Sequence, residues 1–512
     1  MTMDRSNEQA QQRHDYRVRV KNFGPISEGN IEFRPLTVFV GPSNTGKSYL
    51  ATMVYALHRY FAENLGEFPY GRHREIGLPG FARENISDPD IKKDLDAWLT
   101  SAEKEGEIPP LSVRVEDEIR SIVEGAKDMA TPIEREIVRC LGIETISELI
   151  RRPRAQAAEV VVDLHRRDER CHMQYHLGIR RNGFEVTGKV IDSKIPFSDL
   201  ARSPEDRMLN RRILYSASIA DRRDAFYSRL LGMLVGATRN ALNNPLRRRV
   251  YYLPADRTGV MHSHKVVVSA LVQHAATAGL RPAADVPILS GILADFLEQL
   301  IQMAGSHGSR RDSEGEVLAS RVEETVLRGG VHIDASDTNY PHFVYRPKDW
   351  KAELPLMRSS SMVSDLAPIV LYLRHIVRPG DILIIEEPES HLHPEMQVEV
   401  IRCLAEVVRS GIQVIVTTHS EWVLDELANM VLTSQVEESE RATLGETTGG
   451  LYPHEVGAWL FGRQGTSEGV FVEELKMDDL GLYPSGYDRV AVDQHNRWAK
   501  IASKIEVMDE CT

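Results

Sequence analysis

The sequence predicts an α/β fold, and three observations lead there. An apolar, β-branched run at residues 36–40 passes directly into a glycine-spaced loop at 41–48, then into residues 49–64, which contain neither Pro nor Gly. Residues 381–419 give a second strand–helix–strand order. Between these blocks, from about residue 65 to 245, strands and helices do not alternate, so that stretch reads as a helical and β-hairpin insertion into the core.

The elements follow in order. Residues 16–20 alternate as a half-buried strand does, residues 30–33 form a second short strand, and residues 36–40 are apolar throughout, as a buried strand is. The insertion opens with a Gly/Pro-rich segment, 66–80, and continues with charged helical patterns at 91–105 and 115–127. Residues 173–180 and 184–191 flank Arg181-Asn182-Gly183, a strong hairpin signal. Residues 209–242 read as helix, and the core resumes with a strand at 250–253. A Gly/Ser/Arg-rich loop follows at 305–315, then short strands at 331–333 and 342–345. Leu366, Ile369, Val370, Leu373, Ile376 and Val377 recur at helical spacing behind Ser359-Ser360-Ser361. Residues 381–385 form a strand, 394–409 a helix with Pro394 at its first position, and 411–417 a parallel strand. The boundaries read from these patterns are 1–15, a disordered N-terminus; 16–64 and 246–430, the two parts of the core; 65–245, the insertion; and 431–512, a cap or docking element.

Bulk properties narrow the class. A chain of 512 residues exceeds what one compact core usually holds. It is 42% hydrophobic and 27% charged, the balance of a soluble globular protein, with no apolar run of spanning length and no signal-peptide core. Cys140, Cys171, Cys403 and Cys511 lack metal-ligand spacing and read as reduced thiols, so a cytoplasmic protein is expected. The net charge of −13 argues against a generic nucleic-acid binder. Arginine clusters at 151–152, 166–167, 180–181, 222–223 and 247–249 read either as solvated faces or as a DNA, RNA or partner surface.

The loop Gly41-Pro42-Ser43-Asn44-Thr45-Gly46-Lys47-Ser48 carries the first chemistry. Gly41 and Gly46 let the backbone wrap a phosphate, Lys47 reaches its outer oxygens, and Ser48 offers a hydroxyl to Mg²⁺. The helix that starts here, with Tyr49 next, adds its positive end. Together these residues point to ATP with Mg²⁺. The strand at 382–385 then delivers two carboxylates, Glu386 to the magnesium side and Glu387 to the attacking water. His419, at the end of the next strand, is placed to bond a γ-phosphate or that water. Ser359-Ser360-Ser361 opens a helix, and its hydroxyls and free N–H groups suit an anion. Because the chain already uses one helix N-terminus at Lys47-Ser48, this second one makes most sense facing another subunit's nucleotide.

These residues resemble ABC-type ATPases of the group containing RecF, SMC proteins and the overcoming-lysogenization (OLD) family. The nearest resemblance is to the prokaryotic AAA-family ATPases of antiphage defence. It is carried by Val20-Lys21-Asn22-Phe23-Gly24-Pro25-Ile26, Tyr252-Leu253-Pro254-Ala255-Asp256-Arg257, residues 359–368, Glu386-Glu387-Pro388-Glu389-Ser390-His391-Leu392-His393-Pro394 and Thr418-His419-Ser420. It spans roughly residues 16–430 and implies a P-loop NTPase with an ABC-type head, a mixed sheet flanked by helices. By resemblance, residues 41–48 are the Walker A loop, Glu386 the magnesium-side acid and Glu387 the catalytic Glu. Ser361 is the signature serine acting in trans, residues 390–393 the D-loop rather than a metal site, and His419 the switch histidine. Arg257 resembles a recurrent arginine, read either as nucleotide- or dimer-related or as an ordinary ion pair. Three departures stand out: Glu386 replaces the commoner Asp, no Q-loop glutamine follows the first helix, and the signature lacks its Gly-Gly pair.

The resemblance implies an ATP hydrolase that works as a head-to-tail dimer or higher oligomer. Three roles follow: a sensor or scaffold subunit of an antiviral system that controls a separate effector such as a nuclease, a RecF-like ATPase that clamps DNA, or an OLD-like enzyme with its own nuclease. Val470-Phe471-Val472-Glu473-Glu474 resembles a first Toprim strand, but no later Asp-x-Asp follows, so a built-in nuclease is not expected.

Overall fold

The computed structural model describes residues 16–64, 88–105, 110–126, 129–151, 155–165, 172–191, 224–277, 289–305, 313–334, 342–441, 443, 450–463, 469–476 and 494–499. The expected disordered N-terminus, the Gly/Pro segment at 66–80, the arginine pairs at 166–167 and 222–223 and most of the 305–315 loop lie outside the described residues.

The elements run β1 (Tyr16–Phe23), β2 (Ile26–Glu32), β3 (Leu36–Val40), α1 (Lys47–Asn64), α2 (Pro89–Glu105), α3 (Val113–Gly125) and α4 (Ala130–Leu141). Next come β4 (Ala157–His165), β5 (His172–Arg180), β6 (Gly183–Val190), α5 (Asp224–Leu242), β7 (Val250–Leu253), α6 (Arg257–Thr277), α7 (Gly291–Gly305) and α8 (Ser313–Val322). The chain continues through β8 (Gly329–Asp334), β9 (His342–Pro347), β10 (Leu354–Pro355), α9 (Ser361–His375), β11 (Ile382–Glu386), α10 (Pro394–Arg409), β12 (Gln413–Thr418) and α11 (Glu421–Gln435) to β13 (Val456–Arg463) and β14 (Val470–Glu474). By their contacts the described residues fall into two bodies. One takes those of Met1–Phe33, Tyr49–Val250 and Ile288–Ile292; the other takes Arg34–Ser48, Tyr251–Pro287 and Leu293–Thr512.

In the first body the strands lie in the order β6-β5-β4-β1-β2, each antiparallel to its neighbour. Period-2 alternation sets the faces: Tyr16, Val18 and Val20 are buried, while Arg19 and Lys21 are exposed. The β5–β6 hairpin closes at Arg180 opposite Gly183, where Asn182-Gly183 predicted a turn. Beneath the sheet Tyr16 stacks on Phe33 at 4.5 Å and meets the His58 ring edge-on. His58 is buried, with Nδ1 3.1 Å from the Leu246 carbonyl; burial pushes its pKa to about 3, so it packs as a neutral ring. Strand β4 is not singled out by the sequence reading. It pairs β1 with β5, so the hairpin of the expected insertion extends the sheet that starts at Tyr16.

In the second body the order is β14-β13-β3-β12-β11-β7. Strands β13, β3, β12 and β11 run parallel to one another, and β14 runs antiparallel to β13. Every residue of β3, β11 and β12 is buried, as parallel strands covered on both faces require. Leu366, Ile369 and Val370 of α9, Ile401 and Leu404 of α10, and Val423 and Leu427 of α11 share one apolar core with Val38, Leu383 and Val416. Strands β13 and β14 fall inside the stretch expected to be a cap, yet they pair into the sheet that carries the glycine loop. Arg34 pins them: its Nη1 donates to the Val456 carbonyl at 2.6 Å, and its Nη2 pairs with Glu474 at 2.6 Å. A separate antiparallel sheet, β10-β9-β8, precedes α9.

Candidate active site

The parallel strands end together, and their ends carry the chemistry. Val40 of β3 pairs with Thr418 of β12, and Thr417 pairs with Glu386 of β11. The register therefore brings Gly41–Ser48, Glu386-Glu387 and His419 to one edge of the sheet, as the sequence reading expects.

The loop holds a shape that only glycine allows at two points. Gly41 has φ 141° and Gly46 φ 98°. A Cβ on Gly41 would lie 2.4 Å from the Phe461 carbonyl oxygen of β13, so backbone approach forbids a side chain as well. Asn44 takes φ 61°, which Asn tolerates better than most residues. Thr45 Oγ1 donates to the Pro42 carbonyl at 2.8 Å. Pro42, Ser43, Asn44 and Ser48 are exposed, whereas Thr45 and Lys47 are buried. The Tyr49 ring covers Gly24.

Lys47 Nζ donates to the Gly41 carbonyl at 2.7 Å and the Pro42 carbonyl at 2.9 Å, and lies 3.1 Å from His419 Nε2. Burial lowers its pKa to about 8 against the opposing pull of Glu387, Glu389 and Glu386. Glu387 Oε1 lies 3.2 Å from the same His419 Nε2, and Glu387 Oε2 accepts from Ser390 Oγ at 3.2 Å. His419 is held below its ordinary pKa by burial and then by the Lys47 ammonium, with Glu387 opposing. One imidazole nitrogen thus faces a donor and an acceptor. With its proton on Nδ1, it accepts from Lys47; with the proton on Nε2, it donates to Glu387.

Glu386 is buried. Its Oε2 accepts from the Ala255 N–H at 3.1 Å, while Oε1 is buried without a partner among the described residues. A buried, unpaired carboxylate oxygen is what a magnesium ion or its bound water would satisfy, so the donor set of Glu386 with the Ser48 hydroxyl fits Mg²⁺. His393 caps α10, accepting from the Glu395 N–H at 3.4 Å.

Two residues have roles that the sequence reading leaves unassigned. Glu389 is buried, and its Oε1 accepts from Thr418 Oγ1 at 2.6 Å and from the His419 N–H at 2.9 Å, so it seats the histidine by its backbone. Burial raises its pKa. Gln397 of α10 accepts from Ser420 Oγ at 2.5 Å. Glu387, Glu389, Ser390, Gln397, His419, Ser420, Glu421 and Trp422 line an open cleft of about 410 Å³. The signal for Glu389 was its place in Glu-Glu-Pro-Glu, but only the folded chain shows what it holds.

Arg257 was read as nucleotide- or dimer-related or as an ordinary ion pair. It is a fully buried ion pair with Asp365 at 2.6 Å. Ser360 caps α9, accepting from the Val363 N–H at 3.4 Å, which leaves Ser361 exposed on the first turn. Val470–Glu474, which resembles a Toprim strand, has its terminal acid in the Arg34 ion pair.

Residues 292–424 match the AAA ATPase domain family. That match supports the resemblance to ABC-type and AAA ATPases, and with it ATP binding and hydrolysis. No curated protein matches the chain. Among solved structures, an SMC head bound to the C-terminal winged-helix domain of ScpA aligns at 10% identity and TM-score 0.40, covering 91% of this chain and 98% of that one. The SMC head domain from Thermotoga maritima aligns at 11% identity and TM-score 0.34, covering 90% and 98%. An SMC head with an extended coiled coil, bound to the C-terminal domain of ScpA derived from Pyrococcus furiosus, aligns at 10% identity and TM-score 0.39, covering 96% and 98%. No helix among the described residues is long and apolar enough to cross a membrane.

Proposed function

We propose that the chain is an ATP-driven switch subunit, with Glu387 as the base that takes a proton from the attacking water. The observation that carries this reading is the shared His419 nitrogen, 3.1 Å from Lys47 and 3.2 Å from Glu387. A γ-phosphate that draws the Lys47 ammonium onto itself frees His419 Nε2, which favours the tautomer with its proton on Nε2, and that tautomer donates to Glu387 or to the phosphate. Seating the phosphate and orienting the base therefore become one event. Magnesium held by Ser48 and Glu386 would neutralise charge on the phosphates. Glu389 keeps the histidine at the strand end while its ring exchanges partners.

Ser361 is exposed at a helix start, with its neighbour Ser360 already serving as the cap. We assign it to the nucleotide of a second copy, which makes the working form at least a head-to-tail dimer. Hydrolysis then opens what ATP closes, and the output is a separate effector, as in the antiphage-defence ATPases the chain resembles. The DNA-clamp reading rests on the arginine clusters of the insertion, of which the pairs at 166–167 and 222–223 lie outside the described residues. The test is light scattering of Glu387→Gln with and without ATP. A dimer that forms only with ATP supports the switch. A monomer in both conditions, with wild-type turnover unaffected by dilution, overturns the composite site.

A further inference from the structure

We propose that Arg257 is the positioning residue for Glu387, acting through the backbone carbonyls of Glu386 and Glu387 on either side of that residue. The proposal rests on the reading of Glu387 as the base. Arg257 is wholly buried, and all five of its N–H groups are committed. Nε donates to the Asp365 carbonyl at 2.9 Å. Nη1 donates to the Pro254 carbonyl at 3.1 Å and the Glu386 carbonyl at 2.5 Å. Nη2 donates to Asp365 Oδ2 at 2.6 Å and the Glu387 carbonyl at 3.0 Å. Asp365 is matched in turn, its Oδ1 accepting from Thr258 Oγ1 at 3.0 Å. No N–H remains for a phosphate or a second copy.

What the guanidinium grips is the place where the backbone is strained. Glu387 has φ 44°, a left-handed conformation that a non-glycine residue keeps only when its surroundings fix it. Its N–H is held by the Thr417 carbonyl at 2.9 Å and its C=O by Arg257, so both sides of the residue are tied. That conformation turns the side chain from the strand toward His419 and Ser390. The other end of the clamp is α9. Pro368 has no N–H to give the Ser364 carbonyl, and the next carbonyl, that of Asp365, takes Arg257 Nε. Asp365 lies one turn beyond Ser361. The helix that presents Ser361 and the peptide that aims Glu387 are therefore joined through one planar group. A lysine, with a compact ammonium and three donors, cannot span these acceptors.

The test compares Arg257→Lys, Glu387→Gln and the double variant by steady-state turnover and by equilibrium binding of a fluorescent ATP analogue. Loss of a supporting partner of this kind costs about 10–100-fold in activity. Arg257→Lys is expected to lower kcat by that factor while the analogue's Kd stays within about twofold. Added to Glu387→Gln, it should remove nothing further, because both act on one carboxylate. Wild-type kcat in Arg257→Lys, loss of nucleotide binding together with kcat, or losses that multiply in the double variant would each overturn the proposal. Full activity in Glu387→Gln alone removes the base itself and the proposal with it. Should Arg257→Lys fail to fold, Asp365→Asn keeps an oxygen for the guanidinium but weakens its hold; it is expected to lower kcat with Kd intact, and an unchanged kcat is the overturning result.

Discussion

Two charged clusters flank the end of β11, and they are built on opposite rules. At Arg257 and Asp365 every donor of the guanidinium has an acceptor and the carboxylate is matched. At Lys47, His419 and Glu387 the groups compete: two charges face one imidazole nitrogen, and beside them one buried oxygen each of Glu386 and Glu389 has no partner among the described residues. A buried polar group without a partner is destabilising, so the second cluster persists because the rest of the fold holds it. Burial separates the two as well: Arg257 and Asp365 are buried, whereas His419 and Glu387 are half-buried and open to the cleft. Groups that must change partners during a reaction are left with unspent hydrogen bonds; groups that hold them in place are not.

The contrast can be broken in five ways, taken from the largest expected effect down. Glu387→Gln should cut ATP turnover by about 10²–10⁴-fold, as loss of a general base does. Its unfolding free energy from urea denaturation should barely move, within about 0.5 kcal/mol; near-normal turnover would take Glu387 out of the reacting cluster. Asp365→Ala leaves Arg257 charged and buried, so urea denaturation should show a loss of about 3–5 kcal/mol. Unchanged stability there would mean the clamp is no scaffold. Gly41→Ala forces a Cβ against the Phe461 oxygen at φ 141° and should lose about 1–3 kcal/mol together with ATP binding.

The fourth concerns pH. The Lys47 pKa is lowered to about 8, so the cation is present below that value and lost as pH rises through it. ATP affinity should then fall by up to about tenfold per unit above pH 8, measured by titration between pH 7 and 9.5. A flat profile would place Lys47 in water. The smallest effect is on stability: Lys47→Met removes a desolvated charge and should be neutral or stabilising by up to about 1 kcal/mol, while nucleotide binding disappears. In the parent, the same lowered pKa makes the folded state gain stability as pH rises from about 8 toward the ordinary lysine value, because the unfolded chain binds the extra proton there.

Local signals made much of this legible in the sequence. The run into Gly41–Ser48, the hairpin at Asn182-Gly183 and the strand–helix–strand unit ending at His419 are each set by neighbours within a few residues. Strand β13 was not legible, and β4 was so only in part. Val160-Val161-Val162 is a β-branched run that marks a strand, while Ala157-Ala158-Glu159 is poor strand material drawn in by pairing between β1 and β5. Val456–Arg463 is placed by β3, far away in the chain. At the site, Lys47, Glu387 and His419 could be named because their spacing is tied to a loop and two strand ends. Glu389 and Arg257 act on backbone atoms, which leave no trace in side-chain chemistry.

Strand β13 carries one more implication. The Phe461 carbonyl closes over Gly41, and Arg34 reaches the Val456 carbonyl across 422 positions of chain. The phosphate loop emerges early during synthesis, but the strand that shapes it emerges late. Contacts this distant in sequence form slowly and last. A nascent chain should therefore carry the whole Gly41–Ser48 motif for most of its synthesis without nucleotide affinity, and acquire it only when residues 456–463 dock. Competence to bind ATP would then report that the sheet is complete.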